Sequence, residues 1–232
     1  MSADRPIPPA RLEYANRFVM RPVEPADIPK IEEARAASLS ELHCYMDWSH
    51  QVGGQNSFLQ RVLTQWANYF RGEDYEMALF DKQSGDFLVY TGFYPSLRLN
   101  PHAFEIGYWT SSKHKGKGYA TLATRLQIAL IFEYFHGDRI EITCSPQNPA
   151  SLRVIEKCGF HFEGTLRNFY PSGTEAMYAA GYIRERSVQL FALLPEDRSH
   201  LSWYPPLLPQ ITLYPLLDPP FSLVHPETKY PS

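Results

Sequence analysis

Ala103-Phe-Glu-Ile-Gly-Tyr-Trp-Thr-Ser-Ser-Lys-His-Lys-Gly-Lys-Gly-Tyr-Ala-Thr121 holds a strand, a turn and the start of a helix. Residues 103–109 alternate, with Phe104, Ile106 and Tyr108 on one face and Glu105, Gly107 and Trp109 on the other. Residues 119–136 form a long helical pattern with Leu122, Ala123, Leu126, Leu130 and Phe135 near a common face, and Gly137 supplies its stop. Between the two, Gly116 and Gly118 let backbone N–H groups turn toward a ligand without Cβ obstruction. The helix that follows offers its unpaired N–H groups and the positive end of its dipole. Lys113, Lys115 and Lys117 add mobile positive charge, so the loop suits a pyrophosphate; the alternative is a basic, glycine-containing surface turn with no ligand. It is not a P-loop, because Tyr119 follows Gly118 where Lys is required, and Thr121 breaks the dinucleotide fingerprint at its third glycine.

Outward from this unit, Phe18-Val-Met-Arg21 reads as a short strand, followed by a helix with Pro25 and Pro29 near its first turn and Ile28, Ile31 and Ala34 at helical spacing. Residues 57–70 form a second amphipathic helix, with Phe58, Leu59, Val62, Trp66 and Tyr69 on one face. Residues 75–80 and 87–94 are strands joined by a hairpin turn at 81–85. Residues 139–144 alternate as a strand that sets Glu141 and Thr143 opposite Ile140, Ile142 and Cys144. Residues 149–157 are a short helix closed by Gly159, and strands follow near 160–166 and 187–194. Early helices, a β meander and a β-α-β crossover imply a mixed α/β sheet in one layered domain.

Composition excludes several classes. The chain has 232 residues, 44% of them hydrophobic and 20% charged, enough to bury a core. A net charge of −3 gives no positive footprint for nucleic acid. No apolar run approaches bilayer length, and Met1-Ser-Ala-Asp-Arg-Pro-Ile-Pro-Pro lacks the apolar region of a secretory signal, so neither membrane nor export is expected. Cys44, Cys144 and Cys158 form no CxxC, and the histidines form no i, i+4 pair. A disulfide framework and a metal site are therefore disfavoured, and a reducing, cytoplasmic setting fits.

Lys115-Gly-Lys-Gly-Tyr-Ala120 resembles the coenzyme A loop, [Q/R]xxGx[G/A], of the GNAT N-acetyltransferases, with Lys115 where Gln or Arg is usual. Asn148-Pro-Ala-Ser-Leu-Arg-Val-Ile-Glu-Lys-Cys-Gly-Phe160 is similar to the family's second signature, NxxSxxxxEKxGF. Phe104-Glu-Ile-Gly-Tyr-Trp109 resembles the EIGYW strand of the RimJ/RimL branch, which acetylates protein N-termini; Met20-Arg-Pro-Val-Glu-Pro-Ala-Asp27, Met46-Asp-Trp48 and Leu193-Leu-Pro-Glu-Asp197 match that branch in kind. The resemblance spans about residues 10–198. It implies a mostly antiparallel central sheet with a β-α-β acyl-CoA-binding crossover, over a domain at 1–198. It also implies direct transfer from acetyl-CoA to an amine in a ternary complex, without a metal. The acceptor it favours is a protein N-terminal α-amine, on a monomer or homodimer. A polyamine or antibiotic amine is the alternative acceptor, and a non-catalytic acyl-CoA-binding module the alternative class.

The resemblance further implies that strands 103–109 and 139–144 splay apart, and that Tyr108, Trp109 and Thr110 line the pantetheine arm. Lys115, Gly116, Lys117, Gly118, Tyr119 and Ala120 would hold the pyrophosphate. Asn148 is a polar anchor for the arm or a turn opener before Pro149. Many family members carry an acidic tyrosine four residues after Ser151, where this chain has Ile155. Ser151 is then the candidate to protonate the thiolate or stabilise it, unless it merely satisfies first-turn donors. Glu105 and Glu141 are the candidate bases; either could instead be a solvated strand position. Trp48, Phe93, Tyr94 and Tyr108 could wall an acceptor pocket, and Tyr170, in the loop at 168–175, could close over it. Cys144 reads as a small buried hydrophobe rather than a nucleophile.

Eight of the 20 prolines fall after residue 204, beyond the resemblance, interleaved with Leu207, Leu208, Leu213, Leu216, Leu217, Phe221 and Leu223. Residues 199–232 are thus a proline-rich extension that cannot form a long helix. Its apolar content predicts that it lies along the enzyme or a second subunit; the alternative is a loose tail.

Overall fold

The computed structural model describes residues 6–51, 55–96, 100–216 and 219–223. The leader reading at residues 1–5, and Leu217, Pro226 and Pro231 of the extension, lie outside the described residues. The chain runs through β1 (Arg11–Tyr14), β2 (Phe18–Arg21), α1 (Ile28–Ala37), α2 (Leu39–Tyr45), α3 (Gln55–Arg71), β3 (Tyr75–Asp81), β4 (Phe87–Pro95) and β5 (Ala103–Thr110). There follow α4 (Tyr119–Glu133), β6 (Arg139–Cys144), α5 (Pro149–Cys158), β7 (His161–Leu166), α6 (Glu175–Ala179), β8 (Val188–Leu193), α7 (Tyr204–Leu207), β9 (Ile211–Tyr214) and β10 (Phe221–Ser222). All ten strands join one sheet in the order β10-β9-β1-β2-β3-β4-β5-β6-β8-β7. Among the described residues only the β5–β6 pair is parallel, and α4 is its crossover, as the mostly antiparallel fold requires.

The sheet's two faces are covered differently. Phe93, Phe104, Ile106, Ile140 and Ile142 pack with α4, whose residues 126–131 are buried on every side. The chain leaves α4 through His136, which takes the left-handed conformation at φ 51°; Gly137 comes next because a Cβ there would stand 2.6 Å from Ile131. On the other face, Ile31 and Ala34 of α1 and Val62 of α3 pack on Ala78, Phe80 and Phe87. The apolar stripe expected on residues 57–70 is therefore narrower than the sequence pattern. Val62 and Tyr69 are buried, whereas Leu59, Leu63, Trp66 and Phe70 stand exposed. The helix rests on the sheet along one line of contact, so only residues within about 50° of that line reach the core.

The composition break at residue 199 is not a break in the fold. Leu201, Tyr204, Leu207, Ile211 and Leu213 are buried, and β9 pairs with β1 from Arg11↔Tyr214 to Tyr14↔Ile211. Pro205 and Pro206 occupy the first turn of the four-residue α7, where a missing N–H costs no bond. The extension thus lies along the chain's own sheet and adds two strands to it.

Candidate active site

The site begins where two strands part. β5 pairs with β4 along its length, from Pro95↔Phe104 to Val89↔Thr110, but with β6 only from Ala103↔Arg139 to Glu105↔Glu141. β6 continues beside β8 to Cys144↔Gln189, so past Glu105 the neighbours follow different partners and a wedge opens. The β5 backbone at Tyr108, Trp109 and Thr110 borders the wedge, outside the ladder with β6. Such an edge offers donors and acceptors to a ligand lying as an added strand.

At the head of the wedge, Gly116 and Gly118 have φ 73° and 83°, and a Cβ on either would meet nothing within 4 Å. The left-handed backbone, rather than crowding, demands glycine here, and the space above it is open. Gly118 is the N-cap of α4, so the N–H groups of Tyr119 and Ala120 belong to its unpaired first turn. The loop is moored from below: Ser38 Oγ accepts the Ser112 N–H at 2.9 Å, and Ser112 Oγ donates to Glu41 at 3.0 Å. Lys113 and Lys115 are less mobile than expected, reaching Glu33 at 2.5 Å and Glu41 at 3.3 Å. These pairs are exposed and weak, so a polyphosphate can displace them. Lys117 is exposed at the tip. Open glycines, a helix N-terminus and lysines fit the phosphates of coenzyme A, and the wedge fits its pantetheine.

The lower wall of the wedge comes from α5. Asn148 Oδ1 accepts the Ser151 N–H at 3.1 Å, so this side chain caps the helix. Asn148→Ala is expected to cost about 1 kcal/mol, seen as a melting point lowered by about 2–4 °C in thermal unfolding. With the cap supplied by Asn148, Ser151 Oγ is free of first-turn duty and lies 3.0 Å from the Tyr108 hydroxyl. Burial pushes Tyr108 well above an ordinary phenol and keeps it protonated. Ile155 is buried in the core. A tyrosine from β5 thus meets Ser151 where the helix itself has none. Cys144 is buried at the end of β6, and burial raises its thiol.

The two candidate carboxylates are register partners at the apex of the wedge. They differ in use. Glu141 is 2% exposed and bonded to Arg139 at 2.6 Å and to the Ser96 hydroxyl at 3.3 Å. Arg139 also forks onto Glu163. A buried carboxylate in such a pair has its charge committed to a fixed cation, which suits holding β6 better than accepting protons. Glu105 is half-buried and accepts from Thr143 Oγ1 at 3.1 Å, while Tyr170 lies 3.2 Å from that Thr143 oxygen. Tyr170 thus meets Thr143 at the wedge apex, with Arg184 stacked 3.8 Å above its ring, and lines neither of the site's two cavities.

A cavity of about 460 Å³ opens on the α1/α3 side of the sheet, floored by Gly107, Tyr108 and Trp109 at the wedge. Trp48, Tyr94 and Tyr108 line it as expected. Phe93 does not: strand alternation turns it into the opposite core, against Tyr75 at 4.5 Å and Phe135 at 5.3 Å. Gln51 borders this cavity and also a second one of about 350 Å³ that holds Asp47, Thr174 and Arg184.

The cavity also contains a group that sequence reasoning missed. Glu76 accepts hydrogen bonds from Tyr90 at 2.6 Å, from Tyr94 at 3.1 Å and from Gln65 Nε2. Burial raises its carboxyl, an effect offset in part by the Tyr90 bond, the Arg61 charge and the Tyr94 bond. In sequence Glu76 is one polar residue in an alternating strand. The available signal was the pair of strand glycines, Gly92 and Gly107, since glycine inside a strand marks a close approach or a ligand.

A family profile for the acetyltransferase (GNAT) domain matches residues 17–161. A Bacillus subtilis (strain 168) protein named as a probable N-acetyltransferase, YjcK, is 33% identical over 118 residues, 51% of this chain and 64% of the relative. The chain thus matches a little under two thirds of that protein's length. Mycobacterium smegmatis RimJ, solved with CoA-disulfide, shares the fold at a TM-score of 0.66 and 23% identity, covering 81% of this chain and 87% of its own. RimL, a ribosomal L7/L12 α-N-protein acetyltransferase solved with coenzyme A, does so at 0.68 and 17%, covering 79% and 97%.

Proposed function

This chain belongs to the GNAT family of acetyltransferases, and from that premise we propose that it transfers acetyl from acetyl-CoA to the α-amine of a protein or peptide N-terminus. One observation carries the reading: the cavity floored by Gly107, Tyr108 and Trp109 meets the wedge on the same backbone that would hold the thioester. An amine in that cavity approaches the thioester carbonyl directly, which is the proximity such a reaction needs. The second cavity, which shares Gln51 with the first, supports a chain-like acceptor, because it offers a peptide further surface beside the first cavity. Two neighbours of the same fold are named as acting on ribosomal proteins, L7/L12 and S5.

Acetyl-CoA supplies an activated acyl group; the chain's own residues supply position and protons. β5 at 108–110 aligns the arm, and the loop at 115–120 with the α4 N-terminus holds the phosphates. The Tyr108–Ser151 hydroxyl pair stands where the sulfur would leave and can pass it a proton. Ser151→Ala is expected to lower turnover by about 10²-fold while changing CoA affinity little, by steady-state kinetics and calorimetry; wild-type rates would remove the pair from the chemistry.

The reading is tested by offering acetyl-CoA with a library of peptides bearing free N-termini, and separately with polyamines and amino acids, following thiol release and mass. Peptides should outrun the small amines at equal concentration. The reverse ranking would favour a small-molecule acceptor, and CoA binding without turnover on any amine would favour a binding module.

A further inference from the structure

Glu76, Gly92 and Gly107 form one row across the sheet: Glu76 pairs with Gly92, and Gly92 with Gly107. Directly opposed residues share a face, so the carboxylate and the β5 wedge backbone look into the same space. The row spans two strand spacings, about 10 Å. Neither glycine places a side chain in it. Glu76 leans along the row, its Cγ 3.4 Å from where a Cβ on Gly92 would stand and the Tyr94 hydroxyl 3.1 Å from the same point, while a Cβ on Gly107 would meet nothing within 4 Å. A half-buried carboxylate therefore faces, past the Tyr94 hydroxyl, the backbone that would hold the thioester.

We propose that Glu76 is the group that binds the acceptor's ammonium and takes its proton, in place of either carboxylate at the wedge apex. This rests on the acetyltransferase reading above.

The surrounding hydrogen bonds suit a group that cycles between charge states. Tyr90 has one hydroxyl proton and two acceptors in reach, Glu76 at 2.6 Å and Gln65 Oε1 at 2.9 Å. With Glu76 ionised, Tyr90 donates to it. With Glu76 protonated, the new O–H donates to Tyr90, which turns its own proton to Gln65. Protonation thus leaves each of these groups with a partner, which avoids the usual penalty for changing charge indoors. Three donors leave lone-pair capacity on Oε1 for an N–H of the acceptor. Asp74 acts on Glu76 from just before β3 and Arg61 from α3; Glu32 and Arg35 of α1 line the cavity but neutralise one another at 2.9 and 3.0 Å. A carboxyl raised by burial also lies nearer to an amine's pKa, which eases the transfer.

The step balances. Glu76 removes one proton from R–NH3+. The nitrogen lone pair then forms the C–N bond as the C–S bond breaks and its electron pair goes to sulfur. The nitrogen's surplus proton passes to solvent, the thiolate takes one from the Tyr108–Ser151 pair, solvent reprotonates that pair, and Glu76 returns its proton to solvent, so one proton is released per turnover.

The test is the pH profile of kcat/KM on a peptide acceptor for the wild type, Glu76→Gln and Tyr94→Phe, with CoA affinity measured alongside. Glu76→Gln should fall about 10²–10³-fold near neutral pH with unchanged CoA binding. Its rate should recover as pH passes the amine's own pKa of about 8, because only pre-formed neutral amine then reacts. Tyr94→Phe removes a hydrogen bond that favours the ionised carboxyl, so its acid limb should move to higher pH; this keeps the proposal testable if the glutamine variant fails to fold. A glutamine variant with the wild-type rate and profile, or an unmoved limb in Tyr94→Phe, would overturn the assignment alone. A wild type that binds CoA yet acetylates no amine would overturn the functional reading beneath it.

Discussion

Ending the chain at Ser199 is expected to abolish folding at ordinary temperature, seen as loss of the cooperative melting transition and of near-ultraviolet circular dichroism. The truncation removes Leu201, Tyr204, Leu207, Ile211 and Leu213, all buried. At about 1.5–3 kcal/mol per buried apolar side chain, that is on the order of 10 kcal/mol, comparable with the whole stability of an ordinary domain. It also strips β9 from β1, exposing Leu12, and removes the Tyr204 hydroxyl bonded to Glu133 at 2.7 Å on α4. Leu201 fits so closely over Gly159 that a Cβ there would stand 2.2 Å from its Cδ2, so this end of the chain packs on the helix that carries Ser151. A milder version makes the same point: Leu213→Ala, at a fully buried site, should cost about 2–5 kcal/mol. A shortened chain that melts like the full one would mean that the extension is dispensable.

The second large effect is expected at the loop. Gly118→Pro should weaken CoA binding by at least about 100-fold in calorimetric titration, or roughly 2.8 kcal/mol. Gly118 sits at φ 83°, and the proline ring holds φ near −65°, so the loop cannot keep its course. The substitution also deletes an N–H at the phosphate end of the wedge. The rest of α4 should survive, because Leu126, Ile128, Ala129, Leu130 and Ile131 are fully buried and the loop is moored through Ser112 to Ser38. A folded variant with wild-type CoA affinity would show that the phosphates lie elsewhere.

Some of this was readable without the fold because the relevant physics is local. Two glycines one residue apart, followed by a helical pattern, announce a helix N-terminus with an open approach wherever they occur. Alternation over residues 103–109 and 139–144 set Phe104, Ile106, Ile140 and Ile142 on the face opposite Glu105 and Glu141, and in the sheet those four are buried in the core. The i, i+2 spacing of Arg139 and Glu141 on one strand face was itself a signal for the pair found there, although alternation alone leaves the burial of that face open.

What could not be read depends on which distant element covers which face. A strand glutamate is ordinarily solvated. Glu76 is half-buried because α1 and α3 lie over β3 and β4, and because Tyr90, Tyr94 and Gln65 converge on it from two other elements. Tyr108 and Ser151 are 43 residues apart, and their contact follows from the crossover of α4. The proline-rich extension shows the limit most plainly. Its composition announced a chain that avoids long helices, and its leucines announced burial. Its berth, with Ile211 opposite Tyr14 and Leu213 opposite Leu12, was decided by the tertiary structure. The sequence by itself determined the elements, the crossover and the loop, since each depends on neighbours within a few turns of chain. The fold alone decided the half-buried base candidate, the partner of Ser151 and the place of the extension, because burial and register are properties of surfaces that meet only after the chain has closed.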